Sequence, residues 1–100
     1  DVFWPIYREY EHEVSKLGDA RLGLLKDIAD SYKAMTDEKA GYLANQSFAL
    51  QEQRISILEK YYDKLAKALS PKTAARFVQV QNQIDLLIDT QIAQSLPLIK

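Results

Sequence analysis

Residues 44–69 read ANQSFALQEQRISILEKYYDKLAKAL, and this stretch decides the fold. Its apolar side chains recur at alternating steps of four and three residues. The repeat occupies eight positions, of which only Gln51 is not apolar: Ala44, Phe48, Gln51, Ile55, Leu58, Tyr62, Leu65 and Leu69. Side chains at these steps lie on one side of an α-helix, where they pack against neighbouring helices. The stretch therefore predicts a long amphipathic helix.

Two short breaks in the pattern set the helix boundaries. Thr36 precedes two acidic residues and Ser70 precedes Pro71. A hydroxyl side chain suits the N-cap of a helix, and proline suits its first position. We predict three helices, near residues 5–34, 37–69 and 71–95. The first helix is expected to run through Gly18, because the apolar pattern keeps its phase there, and Pro97 is expected to end the third.

The predicted fold is all-α, with three long helices that run antiparallel in an elongated hairpin or bundle. One hundred residues make one domain, which covers residues 1–100. Helices of this length reach roughly 40–50 Å at 1.5 Å per residue, so we expect a rod. Six apolar residues of the third helix are expected to face inward: Phe77, Val80, Ile84, Leu87, Ile88 and Ile92.

Composition argues against several classes of function. The net charge is −1 and no basic stripe recurs along a helix, so nucleic-acid binding has little electrostatic support. The chain has no cysteine, which excludes disulfides and thiol chemistry. No apolar run reaches the roughly 20 residues that span a bilayer, so no stable membrane insertion is expected. Because the sequence begins at Asp1 rather than Met, we expect that a signal peptide has been removed.

Two groups of side chains resemble chemical sites. Glu9-x-x-His12 has the spacing of ligands in di-iron helical bundles, but His12 is the only histidine. Asp85 and Asp89 lie four residues apart on one helix face, where acid–base work would need a cleft. We expect Glu9 and His12 to lie on a solvated face of the first helix. We expect Asp85 and Asp89 to be paired with a cation or exposed. The sequence predicts no catalytic residue, no metal site and no cofactor.

Polar residues interrupt the apolar stripes at one height of the predicted rod. If the chain folds back near residues 35–36, Arg21 comes level with Gln51. Folding again at residue 70 brings Gln51 level with Asp89, with Asp85 one turn away. We predict that Arg21 bonds Asp85 or Asp89, with Gln51 alongside, in a polar layer that fixes the helix register. The alternative is that Arg21 and both aspartates face water.

Aromatic side chains and the width of the apolar stripes suggest contacts with other proteins. Most of the aromatics recur at helical spacing and are expected in the core. Phe3 and Trp4 lie near a chain end, where they are candidates for contact with a partner. A thin rod of three helices buries wide stripes poorly, so we expect the chain to self-associate as a homodimer.

The two helix restarts resemble a known motif. Residues 35–40 (MTDEKA) and 69–74 (LSPKTA) each place a hydroxyl cap after an apolar residue. The pair resembles the duplicated LTxxQ motif of the Spy/CpxP family of periplasmic helical proteins, although Lys39 and Thr73 replace the final glutamines. The last third resembles a group of uncharacterised small exported proteins of Gram-negative bacteria. That second likeness depends on Ala75-Arg76-Phe77, Gln79, Asn82 and Pro97-Leu98-Ile99.

These resemblances imply a periplasmic, non-enzymatic helical protein of the envelope stress response. By this resemblance the chain is expected to be a chaperone-like binding module that contacts apolar segments of client polypeptides through a helical surface. The alternative is a structural coiled-coil interaction protein that acts as a dimer or with a fixed partner. Equilibrium sedimentation together with a client-aggregation assay distinguishes the two.

Overall fold

The computed structural model describes residues 2–95 and contains three long α-helices. They are α1 (Phe3–Ser31), α2 (Asp37–Ala68) and α3 (Pro71–Ser95), and a single 3₁₀ turn, Tyr32–Ala34, follows α1. The all-α prediction is confirmed, and α1 runs unbroken through Gly18. It ends three residues earlier than predicted because its last turn tightens into the 3₁₀ form, as is common at helix ends. The predicted stop at Pro97 lies outside the described residues.

Both helix restarts have the capping geometry that their sequences predict. Thr36 Oγ1 accepts a hydrogen bond from the backbone N–H of Lys39 at 3.1 Å. Ser70 Oγ accepts one from the backbone N–H of Thr73, also at 3.1 Å. Each cap satisfies an N–H group that has no partner within the first helical turn. Because both connections are so short, consecutive helices fold back on each other as antiparallel neighbours.

The molecule is a rod with principal dimensions of 51 × 21 × 17 Å. α1 packs along α2, and α2 packs along α3. α1 and α3 meet only through side chains within the described residues, since their backbones do not approach closely. α2 is therefore the central helix, and one flank of both α1 and α3 lacks a close helical neighbour.

The buried residues gather at one end of the rod, which we call the packed end. It is defined by six buried side chains: Tyr10, Leu58, Tyr61, Leu65, Ala74 and Phe77. The aromatic rings meet edge to face, with 5.0 Å between the ring centroids of Tyr10 and Phe77. Such aromatic pairs contribute about 0.5–1.5 kcal/mol beyond the area that they bury. Large rings thus fill the space between α1 and α3 that their backbones leave open.

The opposite part of the rod, which we call the distal half, covers its apolar side chains incompletely. It comprises α1 and α2 from Gly18 to Arg54 and α3 from Val80 to Ser95. Leu43 is its only buried hydrophobic side chain among the described residues. Phe48 is 58% exposed and Leu22 is 66% exposed. The repeat positions of α2 between residues 44 and 55 therefore face outward, although they follow the same spacing as the repeat positions at the packed end.

One prediction for α3 is wrong. Phe77 is buried as expected and Ile92 is partly buried. Four other residues are exposed by between 43% and 68% instead of facing inward: Val80, Ile84, Leu87 and Ile88. Among the described residues, α2 is the only helix whose backbone comes close to α3, so much of the α3 surface stays uncovered. The wide apolar stripe of α3 exceeds what one neighbouring helix can bury.

Candidate binding groove

A groove of about 540 Å³ lies between α2 and α3. Five apolar and four polar side chains line it. The apolar ones are Ile55, Leu58, Tyr62, Ala75 and Val78, and the polar ones are Arg54, Glu59, Asp63 and Asn82. The groove is open to solvent along the rod, so it is a shallow trough and not an enclosed cavity.

Helical spacing explains why these residues meet. Ile55, Leu58 and Tyr62 are separated by steps of three and four, so they share one face of α2. Ala75 and Val78 are separated by three residues and share one face of α3. The tight connection at residues 69–70 brings the two faces together. Ile55 remains 50% exposed, which leaves apolar surface available inside the groove.

The charges along the groove are unequal. Arg54 Nη1 donates to Asp85 Oδ2 at 2.7 Å, and both side chains are partly buried, with 34% and 25% of their surface exposed. This pairing neutralises the one cation of the groove. Glu59 and Asp63 are four residues apart and exposed, and within residues 2–95 they form no ion pair. The margin of the groove on α2 is therefore negative.

The structure brings together only part of the predicted polar layer. Arg21 Nη2 donates to Asp89 Oδ1, which is one of the two pairings predicted. The side chains are 36% and 49% exposed, so the pair is wet and not buried. Asp85 pairs with Arg54 instead, and Gln51 is exposed, so the prediction that they complete a layer with Arg21 is wrong. Water reaches this height because the backbones of α1 and α3 stay apart.

Arg54 is the site residue that the sequence analysis missed. It lies beside the apolar stripe of α2 rather than within it, so it does not interrupt the pattern. The signal was nevertheless present in the register. Folding about Ser70 places Asp85 level with Ile55, and Arg54 is the adjacent cation. A search for opposite charges at matched heights would have found the pair.

The acids in and beside the Glu-x-x-His spacing pair with lysines of α2. Glu9 Oε2 accepts a hydrogen bond from Lys64 Nζ at 2.9 Å, and His12 is exposed. Glu13 Oε2 accepts one from Lys60 Nζ at 3.0 Å. Within residues 2–95, no group of three or more histidine, aspartate or glutamate side chains is placed to hold a metal ion. These acids serve as links between α1 and α2.

Three titratable groups of the packed end have shifted pKa values. Burial raises the pKa of Tyr10 to about 12, and the carboxylate of Asp85 adds to the effect. Burial and the nearby Glu13 carboxylate raise the pKa of Tyr61. The Tyr61 hydroxyl and the Lys60 ammonium lower the pKa of Glu13. Both tyrosines therefore stay neutral near pH 7, and Tyr10 donates a hydrogen bond to Gln81 Oε1 at 3.3 Å.

The two aromatic residues proposed for partner contact have different environments. Phe3 is partly buried and packs against the core, with its ring centroid 6.4 Å from that of Phe77. Trp4 is 55% exposed and meets Phe3 edge to face at 5.1 Å. Of the two, Trp4 is the residue whose surface is open to a partner.

Comparison with known proteins finds no family model, no curated protein and no solved structure that matches this chain. The resemblances drawn from the sequence therefore stay predictions. No helix within the described part of the chain has the length and hydropathy needed to cross a membrane.

Proposed function

We propose that this protein is a non-enzymatic helical binding module that holds apolar polypeptide segments, in the manner of a chaperone. The observation that carries the proposal is the groove between α2 and α3. Five of its nine lining side chains are apolar, Ile55 among them is half exposed, and Glu59 and Asp63 give the groove a negative margin. The periplasmic location and the stress-response role depend on the resemblance of residues 35–40 and 69–74.

The shape of the groove favours a polypeptide over a small molecule. Pockets for small molecules usually enclose most of the ligand surface, whereas this trough is open along its length. Amphipathic segments bind such troughs by laying their apolar side chains between two helices. Because Glu59 and Asp63 border the groove, the segment that fits best carries apolar residues with a lysine or arginine beside them.

A direct binding experiment tests both parts of this chemistry. Two fluorescent peptides of equal length would be compared, one built from leucine and lysine and the other from leucine and glutamate. We expect the lysine peptide to bind more tightly, as measured by fluorescence anisotropy. The double variant Glu59→Gln, Asp63→Asn should reduce the preference while retaining apolar binding. Equal affinity of the two peptides for the unaltered protein would contradict the assigned charge chemistry.

An aggregation assay tests the activity itself. A chemically denatured client protein would be diluted into buffer with and without this protein, and light scattering would be followed. We expect the protein to suppress scattering and Ile55→Ser to weaken the suppression. Leu22→Ser is the matched control, since Leu22 is 66% exposed but lies on α1, away from the groove. If both variants lose suppression of scattering equally, the groove is not the site of the activity. If the unaltered protein does not suppress scattering, the proposal is refuted.

The second candidate function, a structural coiled-coil interaction protein, is favoured by a different observation. α3 carries exposed apolar residues at coiled-coil spacing, on a face that none of the three described helices covers. A protein of this kind would form a stable dimer and leave client aggregation unchanged. The aggregation assay separates the two functions, because only the binding module suppresses client aggregation.

A further inference from the structure

The outer part of α3 is almost free of charge. Between Phe77 and Ser95 only Asp85 and Asp89 are charged, and both are paired with arginines of α1 or α2. By contrast, 27% of the whole chain is charged. Solvent-exposed helices usually carry charged residues on the face opposite the core. An uncharged outer face, rich in glutamine and aliphatic residues, is instead typical of a helix surface that another helix covers.

The exposed aliphatic residues of this face have the spacing of a coiled-coil seam. Val80, Ile84 and Leu87 follow one another at steps of four and three, and they are 45%, 44% and 68% exposed. Gln91 and Gln94 continue the same steps and are also exposed. We call these five residues the α3 seam. A repeat of this kind buries its side chains only when a second helix packs along it.

The exposed area of the chain supports a partner of substantial size. The accessible surface is 7377 Å² for a mass of 11.5 kDa. A compact monomer of that mass exposes about 5,800 Å². The excess, roughly 1,600 Å² on one chain, is about twice the roughly 800 Å² that each partner contributes to a standard protein interface. The radius of gyration, 16.3 Å, likewise exceeds the roughly 13 Å of a compact 100-residue domain.

We propose that a second copy of this chain docks on the α3 seam and forms a two-fold symmetric dimer with the two α3 helices antiparallel. The proposal goes beyond the binding function, because it assigns a different face of α3 from the groove. A symmetric dimer presents the same patch from both copies, and an uncharged patch can face itself without repulsion. The neutrality of the seam therefore fits a second copy better than a charged partner.

Charge also decides the direction of the two helices. Lys72 and Arg76 precede Val80 by eight and four residues, so they lie to one side of the seam, toward the start of α3. Parallel pairing would place each of these cations against its own copy, which is unfavourable. Antiparallel pairing separates them. It also places Val80 opposite Leu87 and brings Ile84 next to the two-fold axis, so that apolar residues face apolar residues.

The absence of cysteine from the chain allows a clean cross-linking test. Disulfides form only where two Cα atoms lie about 4.4–6.8 Å apart. Under mild oxidation, Ile84→Cys should form a covalent dimer, whereas Leu22→Cys should stay monomeric on a gel without reductant. A mixture of Val80→Cys and Leu87→Cys proteins should cross-link more than Val80→Cys alone. Faster linkage of Val80→Cys alone would overturn the antiparallel arrangement, and equal linkage at Leu22 would overturn the seam.

Sedimentation equilibrium measures the strength of the same contact. Leu87→Glu should weaken the dimer by about tenfold or more, as loss of a central apolar contact does in other interfaces. Leu22→Glu serves as the control of equal exposure, and helix content by circular dichroism checks folding. If the unaltered protein is still monomeric at about 100 µM, the dissociation constant of the dimer exceeds even that of a weak complex, and the proposal is refuted. Since Leu87 lies outside the groove, loss of the dimer and loss of client binding are separable results.

Discussion

The packed end and the distal half differ in how fully three helices cover the apolar side chains they carry. At the packed end Leu65 and Ala74 are completely buried. In the distal half Leu22 and Leu87 are 66% and 68% exposed. The apolar repeat of α2 runs through both regions with unbroken spacing. In the distal half the more buried positions of α2 are Leu43, Ser47 and Leu50, each one place before a position of the repeat, so α2 covers a different face there.

Large rings account for much of this difference. Tyr10, Tyr61 and Phe77 come from three different helices, and the ring centroid of Tyr10 lies 5.5 Å from that of Tyr61 and 5.0 Å from that of Phe77. They reach across the gap between α1 and α3. In the distal half, the Arg21–Asp89 ion pair spans that gap, and both of its side chains stay accessible to solvent. An amphipathic pattern shows how much surface must be covered, while side-chain size decides whether distant helices can cover it.

The largest difference between the two regions should appear on truncating leucine. We expect Leu65→Ala to lower the free energy of unfolding by about 2–5 kcal/mol, because it leaves a cavity in a filled core. Leu86→Ala, at a position 66% exposed, should change it by no more than about 0.5 kcal/mol. Urea denaturation followed by circular dichroism measures both values. Similar losses would show that the two regions are equally packed in solution.

The packed end should also be sensitive to high pH. The pKa of Tyr10 is about 12 in the folded chain, above its ordinary value of 10. Its contribution to stability is therefore complete below pH 10 and is lost as the pH rises to 12. At 1.36 kcal/mol per pKa unit, the loss reaches at most about 2.7 kcal/mol.

Tyr10→Phe isolates this effect, because the two proteins differ in no other titratable group. Denaturation at about pH 9 and pH 11.5 should show a smaller loss of stability in the variant. Identical pH dependence would show that Tyr10 is accessible to water in the folded state.

The two arginine–aspartate pairs test the boundary between the regions. We expect Asp85→Asn to lower the free energy of unfolding by about 1–2 kcal/mol, between the values for exposed and buried ion pairs. Asp89→Asn should cost less than about 1 kcal/mol, because its pair with Arg21 is more exposed. Urea denaturation at low and high salt measures both. A larger loss for Asp89→Asn would indicate that α1 and α3 approach more closely in solution.

The smallest effect concerns helix propensity in the distal half. Gly23 lies inside α1, is exposed, and has open space where a Cβ would be added. Gly23→Ala should therefore raise the free energy of unfolding by about 0.5–1 kcal/mol. Ala29→Gly, at another exposed position of α1, should lower it by a similar amount. Hydrogen exchange would show whether the gain is confined to the distal half.

Interactions between residues close in the sequence were sufficient to predict the three helices of the fold. Thr36 and Ser70 mark the two restarts because a hydroxyl cap acts within one turn of the helix. The apolar steps of α2 predict a helix for the same reason, since they depend on a repeat of 3.6 residues. Matching of heights also predicted that Arg21 pairs with Asp85 or Asp89, and it pairs with Asp89, because two short turns leave little freedom in register.

Only the tertiary structure decided which apolar faces are covered. The inward placement of Val80, Ile84 and Leu87 was wrong, because helical spacing alone cannot show that α3 has a single close neighbour. The groove at Ile55 and the Arg54–Asp85 pair also depend on how α2 and α3 rotate about their axes. The sequence by itself determined where the helices begin and end, through interactions between residues close in the chain. The separation of α1 from α3 determined the exposed surfaces, because burial depends on neighbours that are distant in the chain.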